Sequence, residues 1–284
     1  MWEQQLIETT RGVFEVFTKG EGKPLCVTHL YSEFNANGNR FAEMFVPYYK
    51  VHLVNLRGCG KSTDDVSIFN YGMQDSVADL ESIRTALDYN AWGFAGHSTG
   101  GMLALNYAIL HPESVEFIVA GGLCASAEYM HHPASIYCKK NPNNKRILEI
   151  LAMLADPSST IEQRRAGSKE WALMSLYKEQ SYENMISRPS SGKTVSKRLD
   201  YFSYKELQDF DLRPQLPTVK TKAYIYGGLY DAQCPYEFAV EAADLLANAT
   251  LTTFAESNHN PFIEEEEKFS EFVRNLSQVH SSQL

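Results

Sequence analysis

Ser98 lies between two glycines, at the boundary between two apolar runs of the sequence. The stretch GFAGHSTGGMLAL, residues 93–105, places Ser98 in a G-x-S-x-G pentapeptide between a run typical of a strand and a run typical of a helix. A sharp strand-to-helix turn tolerates only small neighbours and exposes the hydroxyl at its tip. We therefore predict Ser98 as a nucleophile. The alternative is a tight turn in which Ser98 only caps the helix.

Two further side chains supply the chemistry that a nucleophilic serine needs. Asp231 and His259 each follow an apolar run typical of a strand, in YGGLYDAQCP and FAESNHNPF. An imidazole must remove the serine proton, and a carboxylate must fix the tautomer of that imidazole and stabilise its cation. The chain order serine, acid, histidine is the one found with this kind of turn. Ser98, Asp231 and His259 are therefore the predicted catalytic triad, with Glu128 as the alternative acid.

Attack on a carbonyl also requires hydrogen-bond donors for the negative charge that develops on its oxygen. The first donor is expected to be the backbone N–H after the nucleophile, which belongs to Thr99. The second is expected from the loop after CVTHL, where Leu30 and Tyr31 are the candidates. Thr99, Tyr31 and Leu30 are thus the predicted oxyanion-hole residues.

The stretch RGCGKST, residues 57–63, resembles the end of a phosphate-binding loop. Asn55 stands where that loop needs its first glycine, and DDVS follows where a helix should begin. We predict instead a turn after a strand, in which Gly58 and Gly60 adopt positive φ.

Histidines and cysteines occur together in one region of the chain without a metal-ligand spacing. His131 and His132 lie near Cys124 and Cys138, but no usual zinc pattern matches their separation. No metal and no cofactor are therefore expected.

Composition and charge limit the partners of the protein. The 284 residues are 44% hydrophobic and carry a formal net charge of −9 without a basic cluster, which excludes nucleic acid as a default partner. MWEQQLIETTRG lacks the pattern of a secretory signal, and no apolar run reaches the roughly 18 residues of a membrane span. The five cysteines are scattered without a CxxC pair, as for buried reduced thiols. We expect a soluble cytoplasmic protein with a small-molecule or short-peptide substrate and no nucleic-acid or membrane partner; its oligomeric state is left open.

Short apolar runs alternate with helical patterns over most of the chain. Strands are predicted at GVFEVFTKG, PLCVTHL, KVHLVNLRG, AWGFAGHS, EFIVAGGL, TKAYIYGGLYD and ATLTTFAES. Helices are predicted over residues 73–90, 100–111, 236–248 and 262–279. This alternation is typical of an α/β fold, with a mostly parallel central sheet and helices on both faces.

The alternation is interrupted in the middle of the chain. Residues 126–216 are more polar and rich in Lys, Arg, Ser, Tyr and Met, with helical stretches at 145–155 and 169–179. We predict that this region is a helical cap insertion, and that residues 1–125 and 217–284 form the core.

The motifs together resemble the α/β-hydrolase fold superfamily and, within it, the prolyl iminopeptidase-like group of serine hydrolases. The superfamily resemblance covers nearly the whole chain, because THL, LRGCGKST, GHSTGG, YGGLYDAQCP and SNHNPF occur in the expected order. The group resemblance rests on LRGCGKST and GGLYDAQCP, which are similar to the R-G-x-G-x-S turn and the G-x-x-D-x-x-x-P acid loop of those peptidases. It implies Ser98 as nucleophile, Asp231 as orienting acid and His259 as base, with the insertion forming a cap over the pocket.

The resemblance implies a hydrolase of small esters or amides that forms an acyl-enzyme, and prolyl iminopeptidase-like activity is favoured. Such a peptidase needs carboxylates for the substrate ammonium, and the candidates are Glu179, Glu183, Asp200 and Glu206. HLYSE at residues 29–33 replaces the H-G-G-P-G of those peptidases, and GHSTG is the commoner spelling of esterases and lactonases. Carboxylesterase or lactonase activity is therefore an alternative. A ligand-binding protein of the same fold that does not turn over is the alternative from another class.

Overall fold

An eight-stranded sheet forms the centre of the molecule. The computed structural model describes residues 1–67 and 69–281. Across the sheet the strands follow the order β1 (Glu3–Thr9), β2 (Gly12–Lys19), β5 (Lys50–Val54), β3 (Pro24–Val27), β6 (Trp92–His97), β7 (Val115–Gly121), β9 (Lys222–Gly228) and β10 (Ala249–Phe254). From β5 to β10 neighbouring strands are parallel, whereas β2 is antiparallel to β1 and β5. The predicted mostly parallel sheet is confirmed.

The edge strand β1 was not among the predicted strands, although each of the other seven coincides with a predicted run. Its stretch EQQLIET is mostly polar, and none of its residues is fully buried. Every residue of β1 nevertheless pairs with β2 across a tight hairpin. An edge strand with one solvated face needs few apolar residues, so its pattern is weak.

Helices pack on both faces of the sheet, as predicted. One face carries α2 (Met73–Ala86), α3 (Thr99–Leu110) and α8 (Tyr236–Leu245), and the other carries α1 (Arg40–Glu43), α9 (Pro261–Glu264) and α10 (Glu266–Ser281). Successive strand residues point to opposite faces. Cys26 and Phe94 accordingly belong to the first apolar cluster, whereas Leu25 and Ala95 belong to the second.

The predicted helix over residues 262–279 is interrupted at Glu265. The carboxylate of Glu265 accepts hydrogen bonds from the backbone N–H of Glu256 at 2.9 Å and from the hydroxyl of Ser257 at 2.8 Å. Glu265 itself has φ −124° and ψ 52°, which are not helical. The break therefore ties the start of α10 to the loop that carries His259.

The segment between β7 and β9 is mainly helical. It contains α4 (Asn144–Ala155), α5 (Ile161–Met174), α6 (Ser181–Ile186), β8 (Lys193–Thr194) and α7 (Ser196–Tyr201). Helix α4 matches the predicted helical stretch at 145–155, but α5 begins well before the predicted start at 169 and ends before 179. Its start is fixed by a capping box between Thr160 and Gln163.

This helical segment is attached to loops at the carboxyl ends of the parallel strands. After β9, the N–H of Ile136 donates to the carbonyl of Ala232 at 2.7 Å, and after β3 the N–H of Val195 donates to the carbonyl of Tyr31 at 2.8 Å. Strand β8 also pairs with β4 (Ser32–Glu33). The segment thus lies at the carboxyl ends of the parallel strands, where Ser98, Asp231 and His259 are also found.

The glycine turn after β5 has the predicted conformation. Gly58 and Gly60 have φ values of 76° and 52°. A Cβ at Gly60 would lie 2.1 Å from Oε2 of Glu15, so the turn packs directly on β2. The interpretation of RGCGKST as a turn is confirmed.

Two properties of the whole chain bear on its chemistry. All five cysteines are buried free thiols. Burial raises the pKa of the Cys26 thiol well above its usual range, which keeps it protonated. Of the helices in the described ranges, none has the length and hydrophobicity to cross a bilayer.

Candidate active site

Ser98 occupies a strained turn between β6 and α3. Its φ of 57° and ψ of −125° lie in a region that residues with a Cβ rarely adopt. Its backbone holds this turn, because its N–H donates to the carbonyl of Gly121 at 2.9 Å and its carbonyl accepts from the N–H of Gly101 at 2.8 Å. The side chain makes no capping hydrogen bond to α3. A helix cap therefore does not explain this serine.

The glycines beside Ser98 allow two backbone segments to meet. A Cβ on Gly96 would lie 2.0 Å from the carbonyl oxygen of Gly100, and a Cβ on Gly100 would lie 2.5 Å from the carbonyl oxygen of Thr28. Side chains at these positions would push α3 away from β6 and from the loop after β3. The two glycines thus hold the start of α3 against that loop.

Replacement of Gly96 by alanine is expected to destabilise the protein by about 3 kcal/mol, because the new methyl group collides with rigid backbone. Urea denaturation of the purified variant measures the change. Gly101→Ala is the matched control within the same turn, since a Cβ there meets its nearest neighbours at 3.1 Å. The control is expected to cost under about 1 kcal/mol, and equal losses for the two variants would contradict the contact explanation.

Asp231 and His259 form a buried hydrogen-bonded pair. Nδ1 of His259 lies 2.9 Å from Oδ2 and 3.0 Å from Oδ1 of Asp231. Oδ1 also accepts the backbone N–H groups of Gln233 and Cys234, each at 2.9 Å. A carboxylate can only accept, so Nδ1 carries the proton and Nε2 is left as the basic nitrogen. The alternative acid, Glu128, is exposed.

The loops that carry this pair approach each other at one glycine. A Cβ on Gly228, at the end of β9, would lie 1.9 Å from the carbonyl oxygen of Asn258. The side-chain oxygen of Asn258 in turn accepts the N–H of Ala232 at 2.8 Å. The register of β9 beside β10 and this close approach together place Asp231 next to His259.

His97, the residue before Ser98, contacts the candidate base His259. The ring centroids of His97 and His259 are 4.6 Å apart, and Nδ1 of His97 lies 2.9 Å from the hydroxyl of Tyr226. Burial lowers the pKa of His97 well below its usual range, so this ring stays neutral beside His259. Ser98 Oγ has no hydrogen-bond partner among residues 1–67 and 69–281. Contacts between nucleophile and base often tighten only in the substrate complex.

Two of the predicted oxyanion-hole residues meet around the ring of His29. Its Nδ1 accepts the N–H of Tyr31 at 3.4 Å, and its Nε2 lies 3.1 Å from Oγ1 of Thr99. Burial lowers the pKa of His29 to about 3, and charge on His259 adds to the effect, so the ring is neutral. The side chain of Leu30, in contrast, is part of the apolar core. The Thr99 side chain and the Tyr31 N–H thus contact the same histidine ring.

The acidic residues proposed for an ammonium group are not gathered at the site. Glu179, Glu183 and Asp200 lie on the exposed surface. Glu206 accepts the N–H of Met73 at 2.7 Å at the start of α2, and burial raises the pKa of its carboxyl group. Its role in the described structure is that of a helix cap.

Three residues that the sequence did not single out support the pair. The hydroxyl of Tyr137 donates to the side-chain oxygen of Gln233 at 2.6 Å, whose amide donates to the hydroxyl of Ser175 at 2.8 Å. The carbonyl of Ser175 accepts the N–H of His259 at 3.2 Å. One feature of the sequence could have identified Gln233 as a supporting residue, namely its position two residues after Asp231. Tyr137 and Ser175 have no such feature, because they come from distant parts of the chain.

Known proteins resemble this chain in sequence and in structure. It is 26% identical over 266 residues to a proline iminopeptidase from Xylella fastidiosa (strain 9a5c), across 85% of this chain and 84% of that protein. An alpha/beta fold family hydrolase from Bacillus anthracis str. Sterne is 54% identical with a TM-score of 0.95, across 97% of this chain and 99% of that one. An esterase from Exiguobacterium antarcticum shares the fold at 24% identity with a TM-score of 0.68, across 97% of this chain and 100% of that one.

A family model gives the broadest assignment. Residues 34–266 match the model of the alpha/beta hydrolase fold. The matched range includes the strained turn at Ser98 and the buried pair of Asp231 and His259. The chain belongs to the α/β hydrolase fold family.

Proposed function

We propose that the protein is a serine hydrolase that cleaves small acyl substrates through a covalent acyl-enzyme. The observation that carries the proposal is a buried Asp231–His259 pair at the carboxyl ends of the parallel strands, where Ser98 is also held at φ 57°. In this proposal Ser98 is the nucleophile, His259 is the general base and Asp231 orients and stabilises the imidazole.

The reaction follows from these roles in two halves. Nε2 of His259 takes the proton of Ser98 while Oγ bonds to the substrate carbonyl carbon, and the displaced electron pair becomes an oxyanion held by the N–H groups of Thr99 and Tyr31. The imidazolium then protonates the leaving alcohol or amine as the acyl-enzyme forms. Water, deprotonated by His259, releases the acid and restores the serine hydroxyl.

Residues 126–216 act as the cap in this proposal, and residues 1–125 and 217–284 as the core. The cap is supported by its hydrogen bonds to the loops after β3 and β9. It also brings aromatic side chains to the site, since Tyr129 and Tyr137 lie near Tyr31 and Cys234. In this proposal the side chains of the cap therefore select the substrate.

The phenols near Tyr31 favour an uncharged substrate. Burial raises the pKa of Tyr31 to about 12 and those of Tyr129 and Tyr137 well above their usual range, so these phenols are neutral. An ammonium group buried among neutral groups without a carboxylate partner costs several kcal/mol. We therefore propose a small ester or lactone with an apolar acyl group as the substrate class.

Cleavage of an N-terminal prolyl residue is the second candidate. It is favoured by the likeness to a proline iminopeptidase at 26% identity, which extends over most of both chains. On this alternative one of the exposed cap acids, Glu179, Glu183 or Asp200, must turn towards the site when substrate binds.

A two-substrate assay separates these candidates. Wild type, Ser98→Ala and the exposed-surface control Ser158→Ala are compared on a short-chain aryl ester and on a prolyl arylamide. The proposal expects ester cleavage that needs Ser98 and is unaffected in the control. Ser98-dependent cleavage of the arylamide alone would establish the peptidase instead. Absence of turnover with both substrates would contradict the assignment and favour the ligand-binding alternative.

A further inference from the structure

A buried arginine from the helical segment reaches the loop of the proposed oxyanion hole. Arg198 of α7 is 1% exposed. Its Nε donates to the carbonyl of Leu30, and its terminal nitrogens donate to the carbonyls of Arg57 at 2.9 Å and Tyr71 at 3.2 Å and to the hydroxyl of Ser76 at 2.8 Å. Its four acceptors are neutral. Among the described residues no carboxylate forms an ion pair with it.

A buried guanidinium without an ion-pair partner attaches a helix to the core at a high cost in desolvation free energy. Desolvation lowers the pKa of Arg198, which records the cost of holding the charge there. The desolvation of a buried ion costs several kcal/mol, which its hydrogen bonds must offset. The position therefore points to a use for the charge itself.

The same short stretch of the segment holds the loop at successive points. Arg198 binds the carbonyl of Leu30, the N–H of Val195 binds the carbonyl of Tyr31 at 2.8 Å, and β8 pairs with Ser32–Glu33. The loop contains no glycine between residues 28 and 33. Contacts from the segment therefore add to the hydrogen bonds that the loop makes through His29 and together with them hold its backbone.

The carbonyl that Arg198 binds belongs to the peptide group of the second proposed donor. The C=O of Leu30 and the N–H of Tyr31 are parts of one planar amide and point in opposite directions. A cation on the oxygen polarises the amide and makes its N–H a stronger donor. Among the described residues, the N–H of Tyr31 makes one hydrogen bond, a long one of 3.4 Å to Nδ1 of His29, and an oxyanion would have to replace it.

We propose that Arg198 is a positioning residue for hydrolysis, which holds and polarises the Leu30–Tyr31 peptide group so that the Tyr31 N–H binds the oxyanion. This inference rests on the proposed function. It adds that the cap contributes to the chemical step and not only to substrate selection. Displacement of α7 from the core would weaken the oxyanion hole even with Ser98, Asp231 and His259 in place.

The test compares Arg198→Gln and Arg198→Met with wild type, and uses Lys197→Ala as the matched control from the same helix. Lys197 is 41% exposed and pairs with Asp64. Each folded variant is assayed for kcat and KM on an aryl ester and for the Ki of a trifluoromethyl ketone, which forms a tetrahedral adduct on the serine. Fluorophosphonate labelling of Ser98 checks that the nucleophile is intact.

The neutral variants are expected to lower kcat by about 10- to 100-fold, with KM changed less than about threefold. The Ki of the ketone should rise by the same factor as kcat falls, because both depend on the oxyanion. Arg198→Lys should restore part of both, and Lys197→Ala should match wild type. A raised KM with unchanged kcat, or a lowered kcat with unchanged Ki, would overturn the proposal in favour of a structural anchor.

The result remains decisive if both neutral variants fail to fold. Arg198→Lys then carries the test, because an ammonium cannot serve all the acceptors of a guanidinium. A kcat lowered at least about threefold with a parallel rise in Ki supports the proposal, and wild-type values for both overturn it. Failure of wild type to be labelled at Ser98 would instead count against the proposed hydrolase itself.

Discussion

Replacement of Ser98 by alanine is expected to lower kcat for an aryl ester by at least about 10⁴-fold. The variant retains the Asp231–His259 pair and the backbone donors of Thr99 and Tyr31, but it has no oxygen to bond to the carbonyl carbon. Steady-state kinetics on separately expressed protein measures the loss. Residual activity would come from the oxyanion donors and from binding alone.

The same variant is expected to keep its stability. The Ser98 side chain makes no capping hydrogen bond, and alanine has the same Cβ in the same strained turn. The free energy of unfolding should therefore change by under about 0.5 kcal/mol in urea denaturation. A stable variant with more than about one per cent of wild-type kcat would show that another group is the nucleophile.

Asp231→Asn is expected to lower kcat by about 10⁴-fold with little change in fold. Oδ1 of Asp231 accepts two backbone N–H groups, so the carbonyl oxygen of an asparagine must take that place. The amide nitrogen then occupies the position of Oδ2, 2.9 Å from Nδ1 of His259. It donates to Nδ1 and moves the imidazole proton to Nε2, where the nitrogen can no longer accept from Ser98.

Glu128→Gln is the control for this prediction. Glu128 was the alternative acid, and its side chain is exposed. Activity within about twofold of wild type is expected for it. Near-normal kcat in Asp231→Asn together with a large loss in Glu128→Gln would reassign the orienting acid. Circular dichroism and a urea midpoint exclude unfolding as the cause of either loss.

The positions of Ser98, Asp231 and His259 at strand ends were predictable because their signals are local. Each follows a short apolar run, and such runs in alternation with helices indicate adjacent parallel strands. Strands β9 and β10 are such neighbours, so the side chains that follow them meet at 2.9 Å. The glycines around Ser98 are likewise a local signal, and they indicate the turn.

The roles of several residues in the helical segment were not predictable in this way. Arg198 stands in a polar helix and looks like a surface residue until the segment folds against the loop after β3. Glu206 looked like a candidate for ammonium binding, but its tertiary contact is the start of α2. The capping box of Thr160 and Gln163 was, in contrast, a local signal that would have placed the start of α5.

We expect the Asp231–His259 pair to activate the Ser98 hydroxyl for covalent attack. The most direct measurement is the intact mass of the protein after exposure to a fluorophosphonate probe, followed by mapping of the modified peptide. One adduct per chain is expected, located on Ser98, absent from Ser98→Ala and formed far more slowly in Asp231→Asn. A wild-type protein that gains no mass, or that carries the adduct on another residue, would contradict this expectation.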